Sequence, residues 1–376
     1  MARFLHTADW QLGMVRHFFT PEVQGRYSAA RLEGIRRIAE VADQESCDFV
    51  VVSGDVFEDN QLARSIVAQA IDALATFSVP VYLLPGNHDP LLSAGSVWDA
   101  AVMSSLPSNV YVLRDEQSIE VPGCEVEVVG AVWRSKHPNV DLVAETIASL
   151  EPTSRTRVLV GHGIVDLLSP DPNNPNLISV PTVESAIGTG LIQYLALGDR
   201  HSVTDVGSSG RIWYSGTQLV TNYVEVEPNH VLIVDVDRDV CRVEKRRVSN
   251  WAFVERHFEV MGDDVGEVGS WIDEIENKHQ TVVKVSLSGS VSLAGKAIID
   301  EALEMGADRL AAIEQWDRHS DLVVVPEDAD FRDLGFGGFV EDAISELRDI
   351  VAGDGTEAGA ADDALGLIIR LSRSGQ

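Results

Sequence analysis

Cysteine, basic charge and long apolar runs are what this chain of 376 residues has little of. Its three cysteines, Cys47, Cys124 and Cys241, are odd in number and far apart. That excludes a disulfide framework and a C-x-x-C zinc motif. No stretch approaches ~18 consecutive apolar residues, so no membrane-spanning helix is expected. Met1-Ala2-Arg3-Phe4-Leu5-His6 opens without a long apolar segment, so a secretory signal is not expected either. A soluble cytoplasmic protein of about two or three domains is the expectation. Lys and Arg total 29 against 59 Asp and Glu, a formal net charge of −30. The imbalance is steeper toward the C-terminus, where residues 251–376 hold 10 basic and 27 acidic side chains. Phosphate polyanions are normally met by basic surface. A nucleic-acid substrate would therefore need local patches, metal ions or a partner to supply positive charge.

What is present is a recurring pattern over residues 1 to about 225. An apolar run leads into a Gly-containing turn that carries Asp, Asn or His. Phe49-Val50-Val51-Val52 precedes Ser53-Gly54-Asp55, and Val81-Tyr82-Leu83-Leu84 precedes Pro85-Gly86-Asn87-His88-Asp89. Val158-Leu159-Val160 precedes Gly161-His162, and Tyr194-Leu195-Ala196-Leu197 precedes Gly198-Asp199-Arg200-His201. Such runs read as buried strands. Between them the period turns helical, with Leu32, Ile35, Ala39 and Ala42, then Leu62, Ile66, Ala70 and Leu74. Alternation of this kind predicts an α/β architecture whose polar residues gather past the C-terminal ends of strands.

From about 202 to 250 the helical period disappears, and Arg211–Thr217 and His230–Val236 read as strands of a meander. Beyond about 255 a β-α-β-α-β order predicts a small α+β domain. Its elements are strands at 254–260, 281–287 and 321–325, with helices at 266–277 and 294–315. Two helices follow, about 338–351 and 362–373, around a Gly/Ala/Asp-rich stretch at 352–361. The predicted organisation is a domain over 1–250, a small α+β capping domain over 251–330, and C-terminal helices over 331–376.

The strand-end residues Asp9, Gln11, Asp55, Asn87, His88, His162, Asp199 and His201 combine hard oxygen donors with imidazoles and include no thiolate. That mixture suits Mn²⁺, Mg²⁺ or Fe, with Zn²⁺ possible. Two cations sharing one carboxylate would clamp a phosphoryl oxygen and generate a nucleophile at neutral pH. Each piece alone is compatible with an ordinary turn; their ordered joint occurrence points to a metal site.

The order of these motifs resembles the calcineurin-like metallophosphoesterase superfamily, which runs D-x-H, G-D-x-x-D, G-N-H-D/E, G-H and G-H-x-H. Within it, His6-Thr7-Ala8-Asp9-Trp10-Gln11-Leu12-Gly13 is similar to the H-T-S-D-W-H-L-G opening of SbcD-type exonucleases. These are the bacterial counterparts of the eukaryotic meiotic-recombination nuclease. Tyr214-Ser215-Gly216-Thr217 resembles that family's Y-x-G-S segment. The resemblance covers residues 1 to about 225. It implies a β-sandwich flanked by helices and two divalent ions, most often Mn²⁺. Asp9, Gln11 and His201 would hold one ion and Asn87, His162 and Asp199 the other, with Asp55 bridging. His88 would serve as the catalytic imidazole, and Asp89 would orient it. It also implies DNA as substrate, a long coiled-coil ATPase of the SbcC type as partner, and a possible homodimer. Three positions depart from the pattern. Gln11 replaces a histidine, Asp199 replaces the first histidine of G-H-x-H, and Glu58 stands where the superfamily has Asp.

The alternatives are a phosphoesterase of the same superfamily acting on nucleotides or phosphoproteins, and a catalytically weak scaffold regulating an ATPase. Among the remaining features, Arg242, Lys245, Arg246 and Arg247 form the densest basic cluster, a solvated strand or a DNA-backbone contact. Arg16 and His17 read as a surface loop, though within reach of a phosphate. The proline-rich segment 166–182 is expected to rim the substrate cleft, and Trp10 is expected in the core.

Overall fold

Strands covered on both faces read as unbroken apolar runs. Ala2–Thr7 (β1), Phe49–Val52 (β2) and Val81–Leu83 (β3) are of this kind and are buried almost throughout. The structure, a computed structural model, describes residues 1–262, 265–325 and 339–352, with the single positions 360, 361 and 364. It divides into two units, Met1–Asn250 and Trp251–Gln376.

In the first unit Pro21–Gln44 (α1) and Arg64–Leu74 (α2) connect these strands. The α1 helix begins where Thr20 caps it by accepting from Val23 N at 3.3 Å, with Pro21 in the first turn, where no N–H is needed. Then come Val110–Val112 (β4), Ile119–Glu120 (β5), Val126–Gly130 (β6), Leu142–Ser149 (α3), Thr156–His162 (β7) and Val180–Gly188 (α4). Tyr194–Gly198 (β8), Thr204–Val206 (β9), Ile212–Tyr214 (β10), His230–Val236 (β11) and Cys241–Arg247 (β12) complete it. They form two six-stranded sheets, ordered β12-β11-β1-β2-β3-β4 and β5-β6-β7-β8-β10-β9. β1 to β4 run parallel, as do β6, β7, β8 and β10. β11 pairs antiparallel with both β1 and β12.

The inner faces share one core, with Phe4, Phe49, Val51 and Tyr82 of one sheet against Val128, Val158, Val160 and Tyr194 of the other. α1 and α2 cover the first sheet's outer face through Ile35, Ile38, Val67 and Leu74. α3 and α4 cover the second through Val143, Ile147, Val183 and Ala186. This is the expected α/β sandwich of sheets flanked by helices. Trp10 lies in its core, fully buried, donating to Thr7 Oγ1 at 3.0 Å.

The segment 202–250 is not a single meander. β9 and β10 belong to the second sheet, whereas β11 and β12 cross to the first and place β1 mid-sheet. Chain alternation marks strands; it carries no information on which sheet receives them.

The second unit has Ala252–Gly262 (β13), Gly266–Glu274 (α5), Thr281–Ser292 (β14), Leu293–Ala307 (α6), Ala312–Gln315 (β15), Asp321–Val325 (β16) and Phe339–Ala352 (α7). β14 is central, and all its pairings are parallel. Its core gathers Phe258, Val268, Ile272, Val283, Val285, Ile299 and Leu303. The expected helix over 294–315 is in fact α6 followed by β15. Gly306 and Asp308 end the helix, and the short run Ala311-Ala312-Ile313 fits a strand as readily as a helical face. The expected helix at 362–373 and most of the 352–361 stretch fall outside the described residues. No described helix is long and apolar enough to cross a membrane.

Candidate metal centre

Within each sheet the parallel strands end together, and the loops after β1, β2, β3, β7 and β8 meet at one edge of the sandwich. The approach is close. A Cβ on Gly198 would lie 1.9 Å from Ser53 O, and one on Gly54 would lie 2.1 Å from His162 Nδ1. Side chains at either position would push the two sheets apart. Four polar residues here take left-handed backbone: Asp9 (φ 54°), Gln11 (42°), Asp55 (53°) and Asp199 (92°). Each such non-glycine conformation costs about 1 kcal/mol or more and concentrates at functional sites.

Asp9, Asp55 and His162 offer ligand atoms all within 4.8 Å of one another. His162 donates Nδ1–H to Ser53 O at 2.8 Å, which turns Nε2 inward. That nitrogen is 2.7 Å from Asn87 Oδ1, 3.3 Å from Asp55 Oδ2 and 3.8 Å from Asp199 Oδ1. Asp9 accepts from Asp199 N at 3.0 and 3.2 Å. His201 directs Nδ1 at Thr221 Oγ1 (2.7 Å) and Glu225 Oε1 (3.0 Å), leaving Nε2 for another partner. Gln11 is 3% exposed, and its Oε1 is buried without a hydrogen-bond partner.

These observations fit divalent cations. An orphaned buried amide oxygen costs free energy unless something electropositive meets it. The Asn87 amide tells the same story. With its nitrogen inward it donates to Asp55 and to a neutral His162; with its oxygen inward it faces the Asp55 carboxylate and His162 Nε2, which a proton on that nitrogen or a cation satisfies. The donor set of carboxylate, amide and imidazole is that of a hard-to-borderline ion.

Electrostatics divide the carboxylates. Burial pushes Asp9 up to about 7. Burial opposes ionisation of Asp55 too, but the His162 and His88 charges overcome it and hold its carboxyl below the usual range. Burial also disfavours the His162 imidazolium, yet Asp55 holds it well above its ordinary value. Without a cation the cluster is thus a His162–Asp55 ion pair beside a proton-retaining Asp9.

His88, half-exposed, directs Nδ1 to Glu58 O at 3.0 Å, with Glu58 Oε1 at 3.8 Å, and its Nε2 lies 3.9 Å from Asp55 Oδ2. The expectation that Asp89 orients this ring is corrected. Asp89 is fully buried and accepts from Gly86 N at 2.7 Å and Phe57 N at 3.0 Å, bracing the loop instead. Burial, with Asp55 nearby, pushes its carboxyl to about 7. The backbone N–H of Gly86, three residues back, is the closer and less costly partner for a buried carboxyl.

A cleft of about 490 Å³ opens beside the centre, lined by Gln11, Arg16, Glu58, His88, Arg200 and His201 among others. None of its lining residues comes from 166–182, so that segment is not the expected rim of this cleft. It closes on itself instead, through a Val165–Ile178 bridge. The basic cluster lies on the edge strand β12, where Lys245 pairs with Glu227 and Arg246 with Glu45 and Glu244. Sequence reasoning missed Glu225, Thr221 and the carbonyl of Ser53, which aim the two imidazoles. The first two sit in a motif-free segment that becomes adjacent only through folding.

The chain is similar to several known proteins. Over 230 residues the chain is 26% identical to a DNA double-strand break repair protein Mre11 of Methanococcus maripaludis, spanning 60% of this chain and 59% of that one. It is 28% identical over 180 residues to the Mre11 of Archaeoglobus fulgidus, spanning 43% and 39%. The matches thus span about three-fifths or less of these curated relatives. A dimetal phosphatase from Danio rerio superposes with a TM-score of 0.43 at 14% identity, over 66% of this chain and 96% of that one. The matching region, residues 2–234, takes in every strand-end residue just described, and by it the chain belongs to the calcineurin-like phosphoesterase family.

Proposed function

We propose that this protein is a two-metal phosphodiesterase acting on DNA, the nuclease component of an SbcCD-like repair complex. The observation that carries the reading is the convergence of Asp9, Asp55, Asn87, His162, Asp199 and His201 from five strand ends onto one point. Gln11 completes the set with its unpartnered oxygen. Asp9, Gln11 and His201 would hold one ion, Asn87, His162 and Asp199 the other, with Asp55 shared. When bound, divalent ions, Mn²⁺ foremost, would offset phosphoryl charge and make an attacking water more acidic. The chain's own residues do the rest. Ser53 O and Glu225 fix which imidazole nitrogen faces inward. Glu58 O holds His88 at Nδ1 so that Nε2 can hand a proton to the leaving oxygen.

The curated Mre11 relatives support DNA as substrate, and the acidic surface supports a partner that supplies basic charge. That partner would be a coiled-coil ATPase of the SbcC type, docked on the C-terminal helices. Crystals grown with Mn²⁺ and examined by anomalous scattering, together with cleavage of double-stranded DNA, test the reading. Two ions ~3.5–4 Å apart are expected. Hydrolysis of small phosphodiesters with no cleavage of DNA, alone or with the ATPase, would favour a nucleotide or phosphoprotein phosphoesterase instead.

Cation binding must displace protons. At pH 6 both Asp9, at about 7, and His162, well above 6.5, are protonated. Mn²⁺ binding should then release protons at pH 6, and about one fewer at pH 8, because Asp9 has already ionised. Calorimetry in buffers of different ionisation enthalpy measures this; no release at pH 6 would remove both groups from the shell. The sign for stability follows. A raised Asp9 contributes fully below its unfolded value of 3.8 and loses that contribution as pH rises through about 7. At this residue the cation-free fold therefore weakens toward neutral pH.

Asp199 lends a harder, anionic donor where the G-H-x-H motif it resembles carries imidazole. Asp199→His should move the activity ranking from Mn²⁺ and Mg²⁺ toward Zn²⁺ and Co²⁺. Rates with the four ions at fixed pH decide it. An identical ranking with unchanged metal affinity would make Asp199 a turn residue only.

A further inference from the structure

We propose that the cleft beside the metal centre carries a second phosphate-binding subsite, formed by Arg16 and Arg200 above the buried Arg31. It rests on the phosphodiesterase reading and names what that substrate must carry: a second phosphate next to the scissile one.

Many arginines of this acidic chain spend their charge on a carboxylate, as Arg3, Arg114, Arg134, Arg157 and Arg246 do. Among the described residues, Arg16, Arg31 and Arg200 pair with none. Arg31 is 1% exposed; it donates to Trp10 O at 2.7 Å and Tyr27 Oη at 3.0 Å, and its Nε has no partner. Arg16 donates to the carbonyl of Thr221, and its Nε is likewise buried and unpartnered. Arg200 is exposed, ties only Nε to Thr204 Oγ1 at 2.8 Å, and leaves its terminal nitrogens to solvent. Arg16 and Arg200 both line the cleft, alongside Gln11, His88 and His201. Of the two glutamates there, Glu225 is engaged by His201 and Thr221, while Glu58, beside His88, also feels the Arg31 and Arg16 charges without contacting either.

A guanidinium with no carboxylate in contact keeps its donors for another anion. Arg16 and Arg200, which line the opening, concentrate positive potential in a cleft that focuses it. Their planar donor forks match phosphate oxygens. The scissile phosphate belongs at the carboxylate cluster, so the arginines on the Gln11 and His201 flank meet its neighbour. That neighbour is the next phosphate of a nucleic-acid strand or the second phosphate of a nucleoside diphosphate. The strand is favoured, because the cleft is open to solvent on the Arg200 side. Local attraction here also answers how so acidic a chain engages a polyanion.

The test is binding of a fluorescein-labelled oligothymidylate to the full chain in EDTA, by anisotropy across a salt series. ADP is assayed as a competitor. For single strands each neutralised phosphate contributes about 0.7 to the log–log salt slope. Arg16→Gln/Arg200→Gln, which together empty one phosphate subsite, should flatten that slope by about 0.7 and weaken binding about 5-fold near 0.1 M salt. Competition by ADP that stays unchanged assigns the subsite to a strand; competition weakened in parallel assigns it to a diphosphate. An unchanged oligonucleotide slope and affinity would overturn the proposal. Should the double variant unfold by circular dichroism, Arg200→Gln and Arg200→Glu decide, with the charge reversal expected to weaken binding more. Wild-type chain that binds with the expected slope yet hydrolyses nothing would sink the phosphodiesterase reading and leave the subsite standing. Active enzyme with unaltered slopes in the variants would do the reverse.

Discussion

Asp55→Ala should abolish phosphodiester hydrolysis and empty both cation positions at once. Asp55 meets the loops that carry His88 and His162. Its Oδ1 takes the His88 N–H at 2.9 Å, and its Oδ2 stands 3.3 Å from His162 Nε2. It is also the carboxylate kept ionised by its surroundings, whereas Asp9 retains a proton to about pH 7. Removing it leaves His162 buried without its main counter-charge, so the imidazole reverts to neutral. Activity should fall by at least the ~10⁴-fold expected when charge stabilisation and nucleophile generation go together. Metal analysis of the dialysed variant, read beside the rate, is the check. Retention of two ions with low activity would mean that Asp55 does not bridge. Asp55→Asn keeps the shape and the His88 contact, and so separates loss of charge from loss of fold.

His88→Ala should act on the rate alone, lowering kcat by about 10²–10⁴-fold with metal content near wild type. The imidazole is anchored through Nδ1 to the Glu58 carbonyl and stands half in solvent, 3.9 Å from the nearest Asp55 oxygen. A ligand would be buried and aimed inward, as His162 is. A substrate with a better leaving group should lose less, because proton delivery then matters less. Metal loss equal to that of Asp55→Ala would show that the division of labour between the two residues is wrong.

Much of this centre was legible in the chain because the sandwich buries its strands on both faces. Phe49–Val52 and Tyr194–Gly198 therefore stand out as apolar runs, and the polar residues after them stand out by contrast. Asp9, Asp55, Asn87, His88, His162, Asp199 and His201 all sit at such run ends. The residues that orient them were not legible. Glu225 reaches His201 across 24 positions, and Ser53 meets His162 across 109, through a backbone carbonyl that any residue type would offer. Asp89 misled in the opposite way. Its proximity to His88 in the chain suggested a pair, while its buried carboxyl was already saturated by two backbone N–H groups. In the second unit, Ala311-Ala312-Ile313 lacks any period that separates strand from helix, and only its pairing with β14 decides.

The placement of β1 has a consequence for biosynthesis. Its residues leave the ribosome before those of every other described strand, yet β1 is an interior strand, flanked by β2 and by β11, with Ala2 opposite Val236. At about 5–20 residues per second, roughly ten to fifty seconds separate the emergence of the two partners. Throughout that interval Phe4 and Leu5 have neighbours on one edge only, and the other edge is an open template for pairing with other chains. Every candidate ligand up to His201 is translated before β11 arrives to close that edge. The nascent chain therefore carries its whole set of candidate ligands while the sheet beneath it is still incomplete. That edge closes only when Val236 has docked opposite Ala2.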